Sequence, residues 1–153
     1  MSDPSFIDSL IALHPDKIVS AENLDSTKII VNVEEGAFLE VANSLKKDFG
    51  FTLPVSGGAV DFLDEEKIQM NYYFINPESK LMIIYRVNLP RINPKIPSLT
   101  QIWEALSFHE REASEMFGID FIDHPNMIPL LLPPDWRGGY PLRKDFKGEG
   151  VEV

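Results

Sequence analysis

Apolar residues recur at helical spacing in three stretches of the chain and alternate with polar residues in two others. A repeat of three to four residues predicts one buried face of a helix, whereas a repeat of two predicts a strand. The alternation is clearest at Ile68, Met70, Tyr72 and Phe74, and it returns after a turn over Asn76–Ser79. The predicted elements are a helix over 3–13, a strand over Lys28–Val33, a helix over Gly36–Gly50, strands over about 60–75 and 81–87, and a helix over about 99–117.

These elements predict an α+β fold, in which a small mixed or antiparallel sheet packs with helices. Ser56–Gly58 is predicted to be a turn that precedes the alternating strands. Three prolines between residues 90 and 97 indicate a connector between the sheet and the third helix.

The character of the chain changes after residue 124. Residues 125–153 hold five of the twelve prolines and four of the nine glycines, so a helix is excluded there and a central strand is disfavoured. We therefore predict a core domain over 1–124 and an extended partner-binding arm over 125–153. The arm must bury its apolar residues on its own core or, as we favour, on another subunit. These residues are Met127, Ile128, Leu130, Leu131, Leu132, Trp136, Tyr140 and Leu142.

The predicted third helix carries a carboxylate on its apolar stripe. The stripe consists of Leu99, Ile102, Trp103, Leu106, Ala113 and Phe117, and Glu110 falls within it. A carboxylate there is costly unless it reaches water or finds a partner. Glu110 is therefore predicted to extend towards water, to meet an arginine of its own chain, to contact another subunit, or to act as a catalytic acid or base. Phe108 shows the opposite mismatch, since it falls on the polar face, and it is a candidate partner contact.

Composition narrows the possible functions. The chain has 153 residues, with 14 basic against 24 acidic residues and a formal charge of −10, which argues against binding nucleic acid through phosphate neutralisation. It has no cysteine, so disulfides, cysteine zinc sites and ordinary iron–sulfur ligation are excluded. The apolar runs are far shorter than a membrane helix needs. Residues 137–147 of the arm carry a local charge of +3 that suits an acidic partner; the charged residues there are Arg137, Arg143, Lys144, Asp145 and Lys147.

No motif for catalysis or metal binding emerges from the residues. His109, Glu112 and Glu115 lack the Glu-x-x-His order of di-iron sites, and the His-Glu-x-x-His zinc motif is absent. No phosphate-binding glycine loop is present, and the acidic residues between 61 and 66 are predicted to be a solvated face. The chain is thus predicted to be an interaction module without an active site of its own.

Three dispersed motifs resemble a known family. They are HEREASEMFG at 109–118, IDFIDHP at 119–125 and GYPLRKDF at 139–146. Together they resemble the 30-kDa subunit of respiratory complex I and its relatives. These relatives include ferredoxin- or deazaflavin-dependent complexes and energy-converting membrane-bound hydrogenases.

The resemblance implies a scaffold in the hydrophilic arm of such a complex, peripheral on the cytoplasmic side of the membrane and held there by the complex. It implies no cofactor in this chain; iron–sulfur clusters and a flavin or hydrogenase centre belong to partner subunits. The implied partners are the hydrogenase-large-chain-like (49-kDa-type) subunit, which the chain embraces near the quinone or acceptor site, and iron–sulfur subunits. The resemblance also assigns the family's motif or interface role, which we interpret as fixing the helix end and anchoring the arm. The residues with this role are Glu110, Arg111, Glu112, Phe117, Gly118, His124, Pro125, Trp136, Pro141, Leu142, Arg143, Lys144 and Asp145.

The sequence Pro133-Pro134-Asp135-Trp136 resembles photosynthetic and archaeal complexes that lack an NADH-oxidising module. The predicted function is therefore a non-catalytic structural or assembly subunit of a complex I-like, ion-translocating oxidoreductase, linked to deazaflavin or ferredoxin. Alternatives are a subunit of an energy-converting hydrogenase, a free-standing adaptor, and a small acid/base enzyme that uses Glu110, Glu112 and His109. Arg143 and Lys144 are expected to meet carboxylates of the large partner subunit.

Overall fold

A computed structural model describes residues 4–147 and contains a five-stranded sheet, a two-stranded sheet and three α-helices. Short 3-10 turns occur at Glu35–Ala37, Leu63–Glu65 and Glu104–Leu106. The helices are α1 (Pro4–Leu13), α2 (Phe38–Lys47) and α3 (Ser107–Phe117), and the strands are β1 (Ile18–Asn23), β2 (Lys28–Val33), β3 (Leu53–Phe62), β4 (Lys67–Ile75), β5 (Met82–Pro90), β6 (Lys95–Pro97) and β7 (Asp120–Ile122).

The main sheet is mixed, as predicted. Its strand order is β1-β2-β5-β4-β3, in which β2 and β5 are parallel and the other neighbours are antiparallel. The parallel pair requires a long connection, and α2, β3 and β4 lie within it. β6 and β7 form the separate parallel pair beside α3.

Alternate residues of the central strands form the core with the helices. Met70, Tyr72 and Phe74 of β4 are completely buried, in agreement with the alternation in the sequence. Tyr85 of β5 stacks on Phe38 of α2 with ring centroids 5.2 Å apart, and its hydroxyl donates to Phe38 O at 2.6 Å. The buried hydroxyl is thus paired, as burial requires. The α+β class predicted from the sequence is confirmed.

One predicted turn is wrong, and one strand was not predicted. Ser56–Gly58 is not a turn but lies inside β3, paired with β4. A Cβ on Gly57 would lie 3.3 Å from the Tyr72 ring and 3.4 Å from His109 Cβ, so the missing side chain lets α3 approach this edge strand closely. The strand β1, which pairs antiparallel with β2, was not predicted.

The third helix begins at Ser107, eight residues later than predicted. The backbone of Trp103 is extended, with φ −131° and ψ 96°, because its indole is buried in the core. The ring stacks on Phe74 with centroids 4.0 Å apart, and Nε1 donates to Phe51 O at 2.9 Å. No helix within residues 4–147 is both long enough and apolar enough to cross a membrane.

Residues 123–147 contain no helix or strand. The predicted division of the chain at residue 124 stays a prediction, and residues 148–153 of the predicted arm lie outside the described residues. So does Asp3, the first residue of the predicted helix over 3–13.

Candidate interaction surface along the third helix

The polar face of α3 holds the segment that follows β7. Every fourth residue of the helix takes part, since this spacing puts Ser107, Arg111 and Glu115 on one face. Ser107 Oγ lies 3.3 Å from His124 Nε2 at the start of the segment. The Arg111 guanidinium donates to Ile128 O and to Pro129 O, both at 3.1 Å. Arg111 is buried by this contact, with 7% of its surface exposed.

Glu115 continues the same contact towards the end of the helix. Its carboxylate accepts the N–H groups of Leu130 at 2.6 Å and Leu131 at 2.8 Å. A proline-rich segment makes no regular backbone ladder, so its polar groups need partners from elsewhere. Arg111 satisfies carbonyls and Glu115 satisfies amides of the segment. The polar face of α3 is therefore a docking face for the chain's own residues 124–131.

The first and third motifs meet at the C-terminal end of α3. Gly118 has φ +81°, the left-handed conformation that glycine supplies after a helix. A Cβ on Gly118 would lie 2.6 Å from the Tyr140 ring, so the ring packs directly on the glycine backbone. Arg143 Nε donates to Phe117 O at 2.7 Å and the guanidinium lies over the Tyr140 ring. A cation at a helix C-terminus is also favoured by the helix dipole.

Other residues of the third motif bind α3 and the end of the sheet. The Leu142 N–H donates to Met116 O at 3.0 Å, and the Lys144 N–H donates to Asp61 Oδ2 at 2.8 Å. Asp145 pairs with Arg91. Arg143 and Lys144, which were expected to meet a partner's carboxylates, are half-buried and exposed respectively.

Glu110 faces the opposite way, into the core. It is fully buried and accepts three hydrogen bonds, from Ser98 Oγ at 2.6 Å, from Leu99 N at 2.8 Å and from the Tyr72 hydroxyl at 2.8 Å. Burial raises the pKa of the Glu110 carboxyl above its ordinary value, and the three hydrogen bonds act against that rise. Glu110 therefore neither extends towards water nor pairs with an arginine; its hydrogen-bond partners come from the sheet and from the turn before α3.

The residues named for an acid/base enzyme do not converge. His109 and Glu112 line a small cavity of about 170 Å³ against Gly57 and Gly58 of β3, whereas Glu110 binds inside the core. Among residues 4–147, no group of three histidine, aspartate or glutamate residues is placed to hold a metal ion.

Asp61 corrects a further expectation, because it is not part of a solvated acidic face. Its side chain is buried, with 1% exposed, and it pairs with Arg91 at 2.7 Å. Hydrogen bonds from Arg91 hold the pKa of the Asp61 carboxyl below its ordinary value, and the pair raises the pKa of Arg91. The sequence offered no local signal for this pair, since its members are 30 residues apart.

Apolar side chains remain exposed along this contact. Phe108 is 61% exposed, as predicted, and the Arg111 guanidinium lies 5.3 Å from its ring centroid. A groove of about 250 Å³ runs between α3 and residues 127–140. We define the α3 surface as the exposed apolar residues of α3 and of the segment after β7, of which Met127, Ile128 and Tyr140 line the groove. These residues are Phe108, Met127, Ile128, Leu131, Tyr140 and Leu142.

The remaining motif residues lie nearby. Trp136 turns back on its own loop, with Nε1 donating to Gly139 O at 2.8 Å and its ring against Gly138, and it lines the groove. Pro125 is exposed and Pro141 is half-buried. The segment thus rests partly on its own core and partly leaves apolar surface uncovered.

Comparison with known proteins identifies the family. The family model for the respiratory-chain NADH dehydrogenase 30 Kd subunit matches residues 31–152 of the sequence. The chain belongs to this family. It is 36% identical over 143 residues to a subunit of the NADH-quinone oxidoreductase of Moorella thermoacetica, covering 94% of both chains. It is 30% identical over 148 residues to a subunit of the F(420)H(2) dehydrogenase of Methanosarcina mazei, covering 97% of this chain and 94% of the relative.

Solved structures of this family's fold resemble the chain closely. One is a chain in the structure of the membrane-bound sulfane sulfur reductase, an archaeal respiratory membrane complex. Its TM-score is 0.84 at 23% identity, over 95% of this chain and 85% of that one. Another is Nqo5 in a trypsin-resistant fragment, with a TM-score of 0.67 at 22% identity over 80% of this chain and 96% of that one. At these identities the likeness shows the fold. The family predicted from the motifs is confirmed, and the chain is a complex I-like subunit of the 30-kDa type.

Proposed function

We propose that this chain is a non-catalytic structural and assembly subunit in the hydrophilic arm of a membrane-bound, ion-translocating oxidoreductase of the complex I type. The observation that supports this role is the α3 surface. Phe108, Ile128 and Leu131 are each more than half exposed, and apolar side chains grouped along one face are typical of a protein interface. The family membership agrees with such a role, because the curated relatives are themselves named as subunits.

We infer that the partner on this surface is the hydrogenase-large-chain-like, 49-kDa-type subunit, with iron–sulfur subunits nearby. In this proposal the iron–sulfur clusters and the flavin or hydrogenase centre belong to those partners. The chain itself holds a peripheral position on the cytoplasmic side of the membrane through the complex. Its contribution to electron transfer is then geometric, since it holds partner subunits in place.

We further propose a branch of the family that lacks the NADH-oxidising module. Two observations support it. One is the sequence Pro133-Pro134-Asp135-Trp136 in residues 132–139, which line the groove and are called the groove loop below. The other is the F(420)H(2) dehydrogenase relative from Methanosarcina mazei. The partners recovered with the chain decide to which branch it belongs. An input subunit linked to deazaflavin, ferredoxin or NADH can be told from the others, and from the subunits of a membrane-bound hydrogenase, by its mass and sequence.

The test is a pull-down of the tagged chain from gently solubilised membranes of the native host, followed by mass spectrometry. Point variants are preferable to deletion of residues 125–153, because residues 142–145 also bind the core. Ile128→Asp, at 53% exposed, is compared with the matched control Leu24→Asp, at 56% exposed in the turn after β1. A central interface residue carries about 2 kcal/mol or more, so the first variant should recover at least tenfold less of the large subunit than the control.

Three results would contradict the proposal. Recovery of the wild-type chain alone would favour a free-standing role, and recovery of only proteins unrelated to respiratory complexes would favour an adaptor. The third is recovery of partners by Ile128→Asp at the level of Leu24→Asp. For the acid/base enzyme, turnover by the isolated chain that Glu112→Gln abolishes without affecting assembly would be decisive.

A further inference from the structure

Two residues outside the family motifs lie at the same end of the main sheet. Asp61 is near the end of β3 and Arg91 directly follows β5. The pairing of β3 with β4, and of β4 with β5, brings these two strand ends together. The Arg91 backbone N–H donates to Glu66 O at 3.1 Å, so the backbone that carries its guanidinium is tied to the start of β4.

The Arg91 guanidinium binds two carboxylates at once. Its Nε and Nη2 donate to the two oxygens of Asp61 at 2.7 and 2.8 Å. Its Nη2 and Nη1 donate to the two oxygens of Asp145 at 2.8 and 3.2 Å. Asp61 is buried, whereas Asp145 is 53% exposed. A planar guanidinium can offer two such edges, and a lysine ammonium cannot.

The second carboxylate belongs to a segment that is fastened at each of four consecutive residues. Leu142 and Arg143 bind the end of α3, Lys144 binds Asp61, and Asp145 binds Arg91. The loop before this segment, residues 132–139, makes internal hydrogen bonds, from Trp136 N to Pro133 O and from Trp136 Nε1 to Gly139 O. The groove loop is therefore held in position from both sides, by Arg111 and Glu115 through the residues before it and by residues 142–145 after it.

We propose that Asp61, Arg91 and Asp145 form a latch that fastens residues 140–147 to the sheet and so sets the α3 surface in place before any partner binds. Arg91 is then a positioning residue for the interface, although it is no part of the interface itself. The latch is a property of the isolated chain. Only its consequence for assembly rests on the function proposed above.

The latch is tested on the full chain by amide hydrogen exchange of residues 142–146 and by the rate of tryptic cleavage after Arg143, Lys144 and Lys147. Asp145→Asn cuts the exposed half of the latch and leaves the buried Asp61–Arg91 pair intact. The matched control is Glu65→Gln, because Glu65 is also 53% exposed and pairs with Lys67 at the same end of the sheet.

Exchange and cleavage should rise about two- to fivefold in Asp145→Asn, in line with the loss of one exposed charge pair, and protection of β4 and α2 should be unchanged. Arg91→Lys should have a similar effect, since the ammonium pairs with one carboxylate but does not bridge both. The double variant Arg91→Lys/Asp145→Asn should be no worse than the stronger single variant, because both changes break the same bridge.

Four results would overturn the latch. These are unchanged protection in both single variants, an equal rise in Glu65→Gln, additive effects in the double variant, and loss of protection throughout the domain. The link to assembly has a separate readout: Asp145→Asn, co-expressed with the wild-type chain, should be incorporated less often into the purified complex. Equal incorporation would refute that link alone, whereas the pull-down with Ile128→Asp tests the proposed function independently.

Discussion

Replacing Glu110 by alanine tests whether its three hydrogen bonds stabilise the domain. The change removes the acceptor for Leu99 N–H and for the Tyr72 hydroxyl, which are both buried. The Ser98 hydroxyl keeps a partner in Thr100 at 2.7 Å. Each buried donor left without a partner costs about 1–3 kcal/mol. Removing the carboxylate also removes the free-energy cost of burying it, which offsets part of this loss. The net loss in the free energy of unfolding should therefore be about 2–4 kcal/mol.

Urea denaturation followed by far-UV circular dichroism measures this loss. The control is Glu112→Ala, which removes an exposed carboxylate from the same helix and should change stability by no more than about 0.5 kcal/mol. Glu110→Gln should cost less than Glu110→Ala, because the amide oxygen can face Leu99 N and Tyr72 while the amide nitrogen faces the Ser98 hydroxyl. A loss below about 1 kcal/mol for Glu110→Ala would refute the assignment of Glu110 as the anchor between α3, the sheet and the turn before the helix.

The pKa of Glu110 adds a dependence on pH with a definite sign. Burial raises the pKa of the folded carboxyl above its unfolded value, so the folded state binds the proton more tightly. This contribution to stability is complete below the unfolded pKa of about 4.3 and is lost as pH rises through the folded pKa. The difference in stability between the wild type and Glu110→Gln should therefore shift in favour of the variant as pH rises above about 4. A difference that stays constant with pH would contradict this account.

Two further predictions concern Gly118 and Asp61. Gly118→Ala should cost about 1–3 kcal/mol in thermal unfolding, because φ is positive and the new Cβ would strike the Tyr140 ring; an unchanged melting temperature would contradict the packing. Asp61 has a folded pKa held below its unfolded value of about 3.9 by Arg91. Its stabilisation is present above that value and is lost as pH falls through the folded pKa. Melting temperatures measured from about pH 6 down to about pH 2.5 should hence fall less steeply for Asp61→Asn than for the wild type, and parallel curves would refute this.

The elements that the sequence predicted well have a strong local repeat. The alternation over Ile68–Phe74 places every second residue in the core, and the apolar stripe of α2 does the same at helical spacing. The elements it predicted poorly depend on distant partners. Ser56–Gly58 has the composition of a turn, but its pairing with β4 and the approach of His109 make it a strand.

The candidate surface shows the same division. The three motifs predicted the family from residue identity alone, yet they offered no reason for their spacing. In the structure, Phe117 and Gly118 of the first motif bind Arg143 and Tyr140 of the third. These residues of the first and third motifs contact each other in the folded chain. The Arg143–Phe117 hydrogen bond, for example, joins positions that are 26 residues apart in the sequence.

The class of fold, the family and the apolar segment that needs a surface all follow from local periodicity, composition or motif identity, and these are properties of the amino-acid sequence. Which groups pair depends on the tertiary structure. An arginine was one expected partner of Glu110, but its carboxylate accepts hydrogen bonds from uncharged donors. Asp61 was expected on a solvated face, but it pairs with Arg91. The physical reason is that a buried charge selects its partners in space, among residues that strand pairing and helix packing bring near. The separation of two residues along the sequence does not show whether they become neighbours in the fold.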